Sequence, residues 1–418
     1  MNTNITLNTT IKADKPNPKE RILNLLFLSV PILMGIFVFF NPFPHTTSIK
    51  EICFYLSVFI VLILICFNKI NFSFKSPLTL PFVLFTIWAF IGLFFAVNRE
   101  NTFHDIYGHL LKYIILYYIF INFFNSKRLF YVLLWAIITS LGVITLSCMI
   151  YFYIVKAMPI TARLGVPEFN VPVNSIGLIA AYSLLIELSM FEWKNKLYLK
   201  LVFLLLISTS SLAILLSRTI GAIIGLIFPI FILLPKNKKK MAVFILFFLI
   251  LLSLLPTRHI LSMINIRLQY KIRPAIWYSY FQAIKEQPVI GTGFGMEIYN
   301  PISLEKFNAH VHLPDKFKKL GPFHPHNILI DITVRTGIIG LILFLYIIVS
   351  SLWITIKTAR KTENHFIKNW AICITAVFIS ILIQSMFTDM LLGKQAYLFY
   401  LTLPLMTILW RLDAEALS

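Results

Sequence analysis

The chain has 418 residues, 58% of them hydrophobic and only 13% charged, with a formal net charge of +20. Soluble domains carry roughly 45–50% apolar and about 25% charged residues, so a water-facing globular surface is excluded, and so is disorder, which needs low hydrophobicity. The basic excess does not advertise nucleic acid: the cations lie between long apolar runs, as in the loops of a membrane protein.

A bilayer-crossing helix needs roughly 20 mainly apolar residues. Taken in chain order, about 12 stretches qualify: 22–40, 52–67, 78–97, 107–124, 129–155, 175–191, 199–217, 219–234, 241–256, 329–356, 371–392 and 396–410. The stretch 199–234 also reads as one long kinked element, but Arg218-Thr219 interrupts it and its length suits two crossings. The expected fold class is all-α, a polytopic membrane protein. All four cysteines (Cys53, Cys66, Cys148, Cys373) sit inside apolar runs, which suits small hydrophobic packing and not a disulfide framework.

The expected organisation is a cytoplasmic tail over 1–21, helices 1–9 over 22–256, one large outer loop with partial helices over 257–328, helices 10–12 over 329–410, and a second cytoplasmic tail over 411–418. The first 21 residues are polar and basic, and no small-residue cleavage site follows the first apolar run, so they read as a tail and not a signal peptide. With that end inside, twenty Lys and Arg fall in the inner loops and tails and seven in the short outer loops and span ends. Orientation follows that count. The remaining cations belong to the long loop and to Arg335 just beyond it.

Long loops are usually functional or disordered. This one has helix-compatible spacing at Ile272, Ile276, Tyr280 and Ile284, a glycine-rich turn and five of the nine histidines, so it is expected to be folded.

Candidate chemistry begins at Arg218, in Leu215-Leu216-Ser217-Arg218-Thr219 at the end of the seventh span. It is either an interfacial anchor or an anion clamp, since guanidinium grips phosphate oxygens bidentately. Arg273 opens Arg273-Pro274-Ala275-Ile276-Trp277, where proline suits the first turn of a helix over 274–287. That helix would lie along the membrane surface with Trp277 at headgroup level, and Arg273 is a basic flank or a second cation beside a lipid-linked phosphate.

Gln287-Pro288-Val289-Ile290-Gly291-Thr292-Gly293-Phe294-Gly295 then makes a sharp turn. No strand precedes it and no clear helix follows, so a nucleotide loop is disfavoured against a tight turn or close backbone approach.

The pairs His310/His312 and His324/His326 raise a metal site, surface histidines, or a catalytic base. No cysteine or paired carboxylates accompany them, which weighs against metal. Pro325 sets His326 near a helix N-terminus, where the dipole favours neutral imidazole, the form that accepts a proton. Asp331 and Arg335, four apart, are expected to pair on one helix face, as a structural pair or a substrate contact. Gly337 and Gly340 would permit close helix packing.

In order and spacing, these motifs resemble the O-antigen ligase and polymerase superfamily of bacterial inner membranes. The carriers are Ser217-Arg218; Arg273 with Trp277 and the Pro288–Gly295 turn; and His326-Asn327-Ile328-Leu329 followed by Arg335-Thr336-Gly337-Ile338-Ile339-Gly340. They span about 200–345, while the first half matches only as a set of spans. Arg335 departs from the pattern, since many members have an acidic or neutral residue there.

The resemblance implies a GT-C-like, metal-independent, inverting glycosyltransferase without cofactor. Its donor would be a saccharide on undecaprenyl pyrophosphate and its acceptor a hydroxyl of lipid A–core oligosaccharide. Arg218 and Arg273 would bind the pyrophosphate and His326 would act as base, supported by Asn327, Trp277, Arg335, Gly337 and Gly340. The outer side would be the periplasm, with the active site there and both termini cytoplasmic. Repeat-unit polymerases and protein O-oligosaccharyltransferases of the same superfamily are the alternatives. A lipid-linked oligosaccharide transporter is the competing class, but paired half-repeats with broken helices are not evident.

Overall fold

The computed structural model describes residues 17–169, 171–192, 195–233, 272–296, 324–388 and 396–417, with positions 242, 244–246 and 249. Among these, all regular structure is helical apart from one isolated bridge, Val166 to Val171. We number the helices α1 (Pro18–Phe40), α2 (Thr47–Cys66), α3 (Thr79–Leu93), α4 (Arg99–Phe123), α5 (Lys127–Val155), α6 (Val173–Met190), α7 (Leu197–Ser217), α8 (Ile220–Leu233), α9 (Ile272–Glu286), α10 (Ile328–Lys361), α11 (His365–Ser385) and α12 (Ala396–Leu417).

Eight of them are long and apolar enough to cross a membrane, and α3 and α8 are shorter apolar helices. This is a polytopic membrane architecture. The expected span over 241–256 lies almost wholly outside the described residues, as do 257–271, 297–323 and the pair His310/His312.

Boundaries follow local chemistry that hydropathy does not register. Asn98, Ser126, Asn327 and Asn364 each accept a hydrogen bond from a backbone amide of the first turn, satisfying donors that a helix start leaves open. The Asn364 cap starts α11 at His365, six residues before the expected 371, and the helix ends at Ser385 rather than 392.

Between α7 and α8 the chain turns at Arg218, whose backbone is left-handed (φ 52°). The 199–234 stretch is therefore two helices. Thr219 Oγ1 bonds the Val173 carbonyl at 3.1 Å, and a Cβ on Gly177 would collide with the Thr219 side chain, so α6 and the turn meet without a side chain between them.

Large apolar side chains such as Leu25, Ile32, Phe59, Leu62, Ile342 and Trp353 are exposed around the outside, as a bilayer-facing surface requires. Lipid supplies no hydrophobic drive between helices, so packing and interhelical hydrogen bonds hold the bundle. Tyr117 meets Thr407 at 2.9 Å and Tyr182 meets Thr402 at 3.2 Å, tying α4 and α6 to α12. Ser210 of α7 donates to the buried Glu187 carboxylate of α6 at 3.1 Å.

The α10–α11 pair fixes which ends of the bundle share a side. Residues 362–364 join them, so the start of α10 lies at the same end as the end of α11. Just past α11, Phe387 lies against Gly221, three residues after Arg218. Arg218 and the N-terminus of α10 are thus at one end, here termed the site end.

Candidate functional site

The scaffold of the site is a break in α10. Gly337 has φ 67° and ψ −174°, so the helical ladder cannot continue through it. That strands carbonyls before the glycine and an amide after it, and buried backbone polar groups must find partners. The glycine turn of residues 288–296 supplies most of them. Ile338 N–H donates to the Pro288 carbonyl at 2.9 Å, Thr292 N–H and its hydroxyl donate to Val334, each at 2.9 Å, and Gly293 N–H donates to Arg335 at 3.0 Å. The Thr336 carbonyl accepts from the Trp88 indole of α3 at 2.8 Å. Gly291 and Gly293 have φ of 77° and 110°, the left-handed region open to glycine. The expectation of close backbone approach at this turn holds. Gly337 and Gly340 do more than line a helix–helix contact: Gly337 breaks its helix, and a Cβ on Gly340 would meet the Thr336 side chain and lie 3.2 Å from Trp88.

Asp331 and Arg335 pair as their spacing predicts. Arg335 Nε lies 3.1 Å from Asp331 Oδ1, and both side chains are buried. The guanidinium also donates to the Phe294 carbonyl at 2.9 Å and sits over the Phe294 ring, 5.3 Å from its centroid. Arg335 thus holds the turn to α10.

His326 lies immediately before α10, with Asn327 as the capping residue. Asn327 Oδ1 accepts from Leu329 N–H at 3.0 Å and Ile330 N–H at 3.3 Å. The half-buried His326 is therefore held at a helix N-terminus, in a left-handed backbone conformation with φ 47°. The Trp277 indole donates to the Pro325 carbonyl at 2.8 Å and so ties α9 to the residue preceding His326. Ile276, Tyr280 and Ala283 of α9 pack on Ile330 and Val334 of α10. Arg273 lies in the first turn of α9, which begins at Ile272 rather than the expected 274, and its side chain falls outside the described residues.

Arg218 stands on a second scaffold, the connection between α5 and α6. Only 6% of it is exposed, and its guanidinium donates to the Thr161 carbonyl. Leu164 N–H bonds the Leu216 carbonyl at 3.0 Å, and Arg163 Nε bonds that of Ser217 at 3.2 Å, so the loop is laced to the end of α7. Burial pushes the Arg218 pKa down, and the nearby Arg163 charge adds to that shift. Fixed guanidinium groups of this kind suit a phosphate-bearing ligand.

Two contributors were not apparent from sequence. Asp105 of α4 accepts from Met296 N–H at 2.9 Å, and Thr102 receives Gly295 N–H at 3.3 Å, so α4 forms the far wall of the turn. The available signal was a carboxylate two residues before an apolar span, a weak one, since polar residues are ordinary there. The other is Arg163, a cation among many until its loop folds back on α7. Among the described residues no group of three His, Cys, Asp or Glu is arranged to hold a metal ion.

Residues 197–345 match the family described as O-antigen ligase. That interval contains Arg218, α9, the glycine turn, His326 and the break in α10. Over 289 residues the chain is 27% identical to a Rickettsia felis protein named "Putative polysaccharide ligase", covering 64% of this chain and 66% of the relative, just under two thirds of its length. Proteins bearing that name in Rickettsia conorii and Rickettsia typhi are also 27% identical, over 321 and 329 residues; each match covers 73% of this chain, with 72% and 73% of the relatives. Arg218, the glycine turn and the segment from His326 to Gly340 all fall inside the matched interval, where the chain is similar to the O-antigen ligase family.

Proposed function

We propose that this protein is an O-antigen ligase-type glycosyltransferase of the bacterial inner membrane, moving a saccharide from undecaprenyl pyrophosphate to a hydroxyl of lipid A–core oligosaccharide. The observation that carries the reading is that two groups suited to this chemistry lie toward the same end of the bundle, within the matched interval. One is the nearly buried guanidinium of Arg218 at the end of α7, and the other is the imidazole of His326 at the start of α10.

In the proposed reaction the acceptor hydroxyl oxygen attacks the anomeric carbon from the face opposite the pyrophosphate. The carbon–oxygen bond to pyrophosphate breaks as the new glycosidic bond forms, which inverts the anomeric centre. His326 takes the hydroxyl proton as general base. The leaving pyrophosphate keeps the bonding pair, and Arg218 with Arg273 stabilises the charge that develops on it. Holding both lipid-anchored substrates at one end of the bundle supplies proximity. The donor is already activated, so no nucleotide is consumed and the leaving charge is met by guanidinium rather than metal. Asn327, Trp277, Arg335, Gly337 and Gly340 act as supports that fix the imidazole and the turn. The site end is then periplasmic, with both termini in the cytoplasm.

The test is reconstitution of the purified chain with an undecaprenyl-pyrophosphate-linked saccharide and lipid A–core. The expected product is core-linked saccharide of inverted anomeric configuration, formed equally in the presence of a chelator. Chain growth on the polyprenyl carrier instead would make the protein a repeat-unit polymerase.

A further inference from the structure

A second feature of the site end takes no part in that reaction. A groove of about 510 Å³ runs between α2 and α4, within the ~300–1,000 Å³ range of small-molecule sites. Its upper part is polar and aromatic, formed by Glu51, Tyr55, His104, Tyr107, His109 and Lys112. Its deeper part is apolar, formed by Phe54, Val58, Leu111 and Ile115. Helix α2 leaves the site end at Thr47 and α4 at Arg99, so the polar groups lie toward that end and Val58 and Ile115 further into the membrane. α2 packs chiefly on α1 and meets α4 sparsely, which leaves the groove open sideways.

The polar groups are balanced in charge. Lys112 Nζ pairs with Glu51 Oε1 at 2.5 Å. His104 Nδ1 lies 3.1 Å and His109 Nε2 3.8 Å from Asp105 Oδ1, in the wall behind. Phosphate brought here would meet carboxylates as well as the ammonium. Sugar hydroxyls instead donate to Glu51 and accept from Lys112 or imidazole, and ring faces of Tyr55 and Tyr107, about half exposed, are available for sugar C–H surfaces. The wall itself is shaped for access: residues Ile106–Leu111 form a π-helical turn, a form found frequently at functional sites. Within it, a Cβ on Gly108 would meet nothing inside 4 Å except the His104 ring, so the groove is open there.

We propose that this groove binds a glycolipid, with an uncharged saccharide head among Glu51, His104, His109 and Lys112 and a hydrocarbon chain along Val58 and Ile115. Asp105, in the wall of the groove, also receives Met296 N–H of the glycine turn, so a lipid bound here lies beside the scaffold of the candidate site. This binding does not rest on the function proposed above.

The test uses the full chain in phosphatidylcholine nanodiscs with monoglucosyl diacylglycerol carrying a photoreactive acyl chain, against phosphatidylglycerol with the same chain. The expected result is labelling of 51–58 and 107–115 by the glycolipid, about tenfold above the phospholipid, the scale of a lost hydrogen bond to a charged group. Gly108→Leu, which fills the groove, and Lys112→Ala should bring labelling down to the phospholipid level. His104→Ala, at a largely exposed side chain, gives the same readout should either of those fail to fold. Equal labelling by both lipids, preference for phosphatidylglycerol, or labelling undiminished in folded variants overturns the groove assignment. Selective labelling by a protein that transfers nothing would sink the transfer reading alone.

Discussion

Gly337 and Gly291 face each other with no space for a side chain on either. A Cβ on Gly291 would fall on the backbone of Thr336 and Gly337, and one on Gly337 on the Val289 carbonyl. Both glycines have positive φ. This contact lets a loop turn repair the break in α10, and it ties the segment before Gly337, which begins at His326, to the turn between α9 and α4.

Gly337→Ala and Gly291→Ala are therefore expected to destabilise the protein. The positive-φ backbone alone costs a non-glycine residue about 1–3 kcal/mol, and displacement of the turn adds to it. Both should melt earlier in detergent and lose transfer. Gly92→Ala is the control: it lies in α3 with nothing within 4 Å of its Cβ position, and it should gain about 0.5–1 kcal/mol. Equal melting of all three would remove the steric account.

Arg218 separates charge from shape. Arg218→Lys keeps a cation but loses the planar fork and its bond to the Thr161 carbonyl. Its transfer rate is expected to drop about 10²-fold, the usual effect of removing one preorganised donor to a developing charge. Arg218→Asn, which tolerates the left-handed backbone, should drop at least as far. Initial rates at saturating acceptor measure both, and a lysine variant with undiminished rate would argue for a simple interfacial anchor.

Eight of the expected spans, the turn at Arg218, the helix beginning near Pro274 and the pairing of Asp331 with Arg335 were legible in the sequence, because each is set by neighbours within one or two turns. The break in α10 was not. Gly337-Ile338-Ile339-Gly340 has the pattern of small residues for helix packing, and nothing local marks a glycine whose amide neighbours are claimed by another segment. Asp105 was hidden for the same reason: its partner Met296 is 191 residues away. Apolar periodicity records which face is buried and not which backbone group meets which, so the motifs emerged in order while the lock between them did not.

For His326, the expected outcome is loss of transfer with donor binding retained. A general base contributes typically 10²–10⁴-fold, so His326→Asn should slow turnover by about that factor. Asparagine keeps access to the left-handed backbone seen at φ 47°. The Asn327 cap and the Trp277 bond to Pro325 use neighbouring atoms and should survive. The discriminating measurement is the split between kcat and KM: a fall in kcat at constant donor KM fits proton removal, whereas a rise in KM alone would reassign His326 to binding.

The buried pair of Arg335 and Asp331 tests whether the site's scaffold can be uncoupled from its stability. Asp331→Asn leaves the guanidinium buried beside a neutral amide, and breaking such a pair from one side costs about 3–5 kcal/mol. Arg335→Met strands the carboxylate instead and should destabilise by a similar amount. The double variant Asp331→Leu/Arg335→Met removes both charges, and replacing a buried pair by apolar groups of like volume is often neutral. Its melting temperature should therefore recover most of the loss. Transfer should not recover with it, because the Phe294 carbonyl loses the Arg335 donor that holds the glycine turn against α10. Melting and rate measured on the same three variants decide the matter: recovery of both together would mean that the pair acts on stability alone.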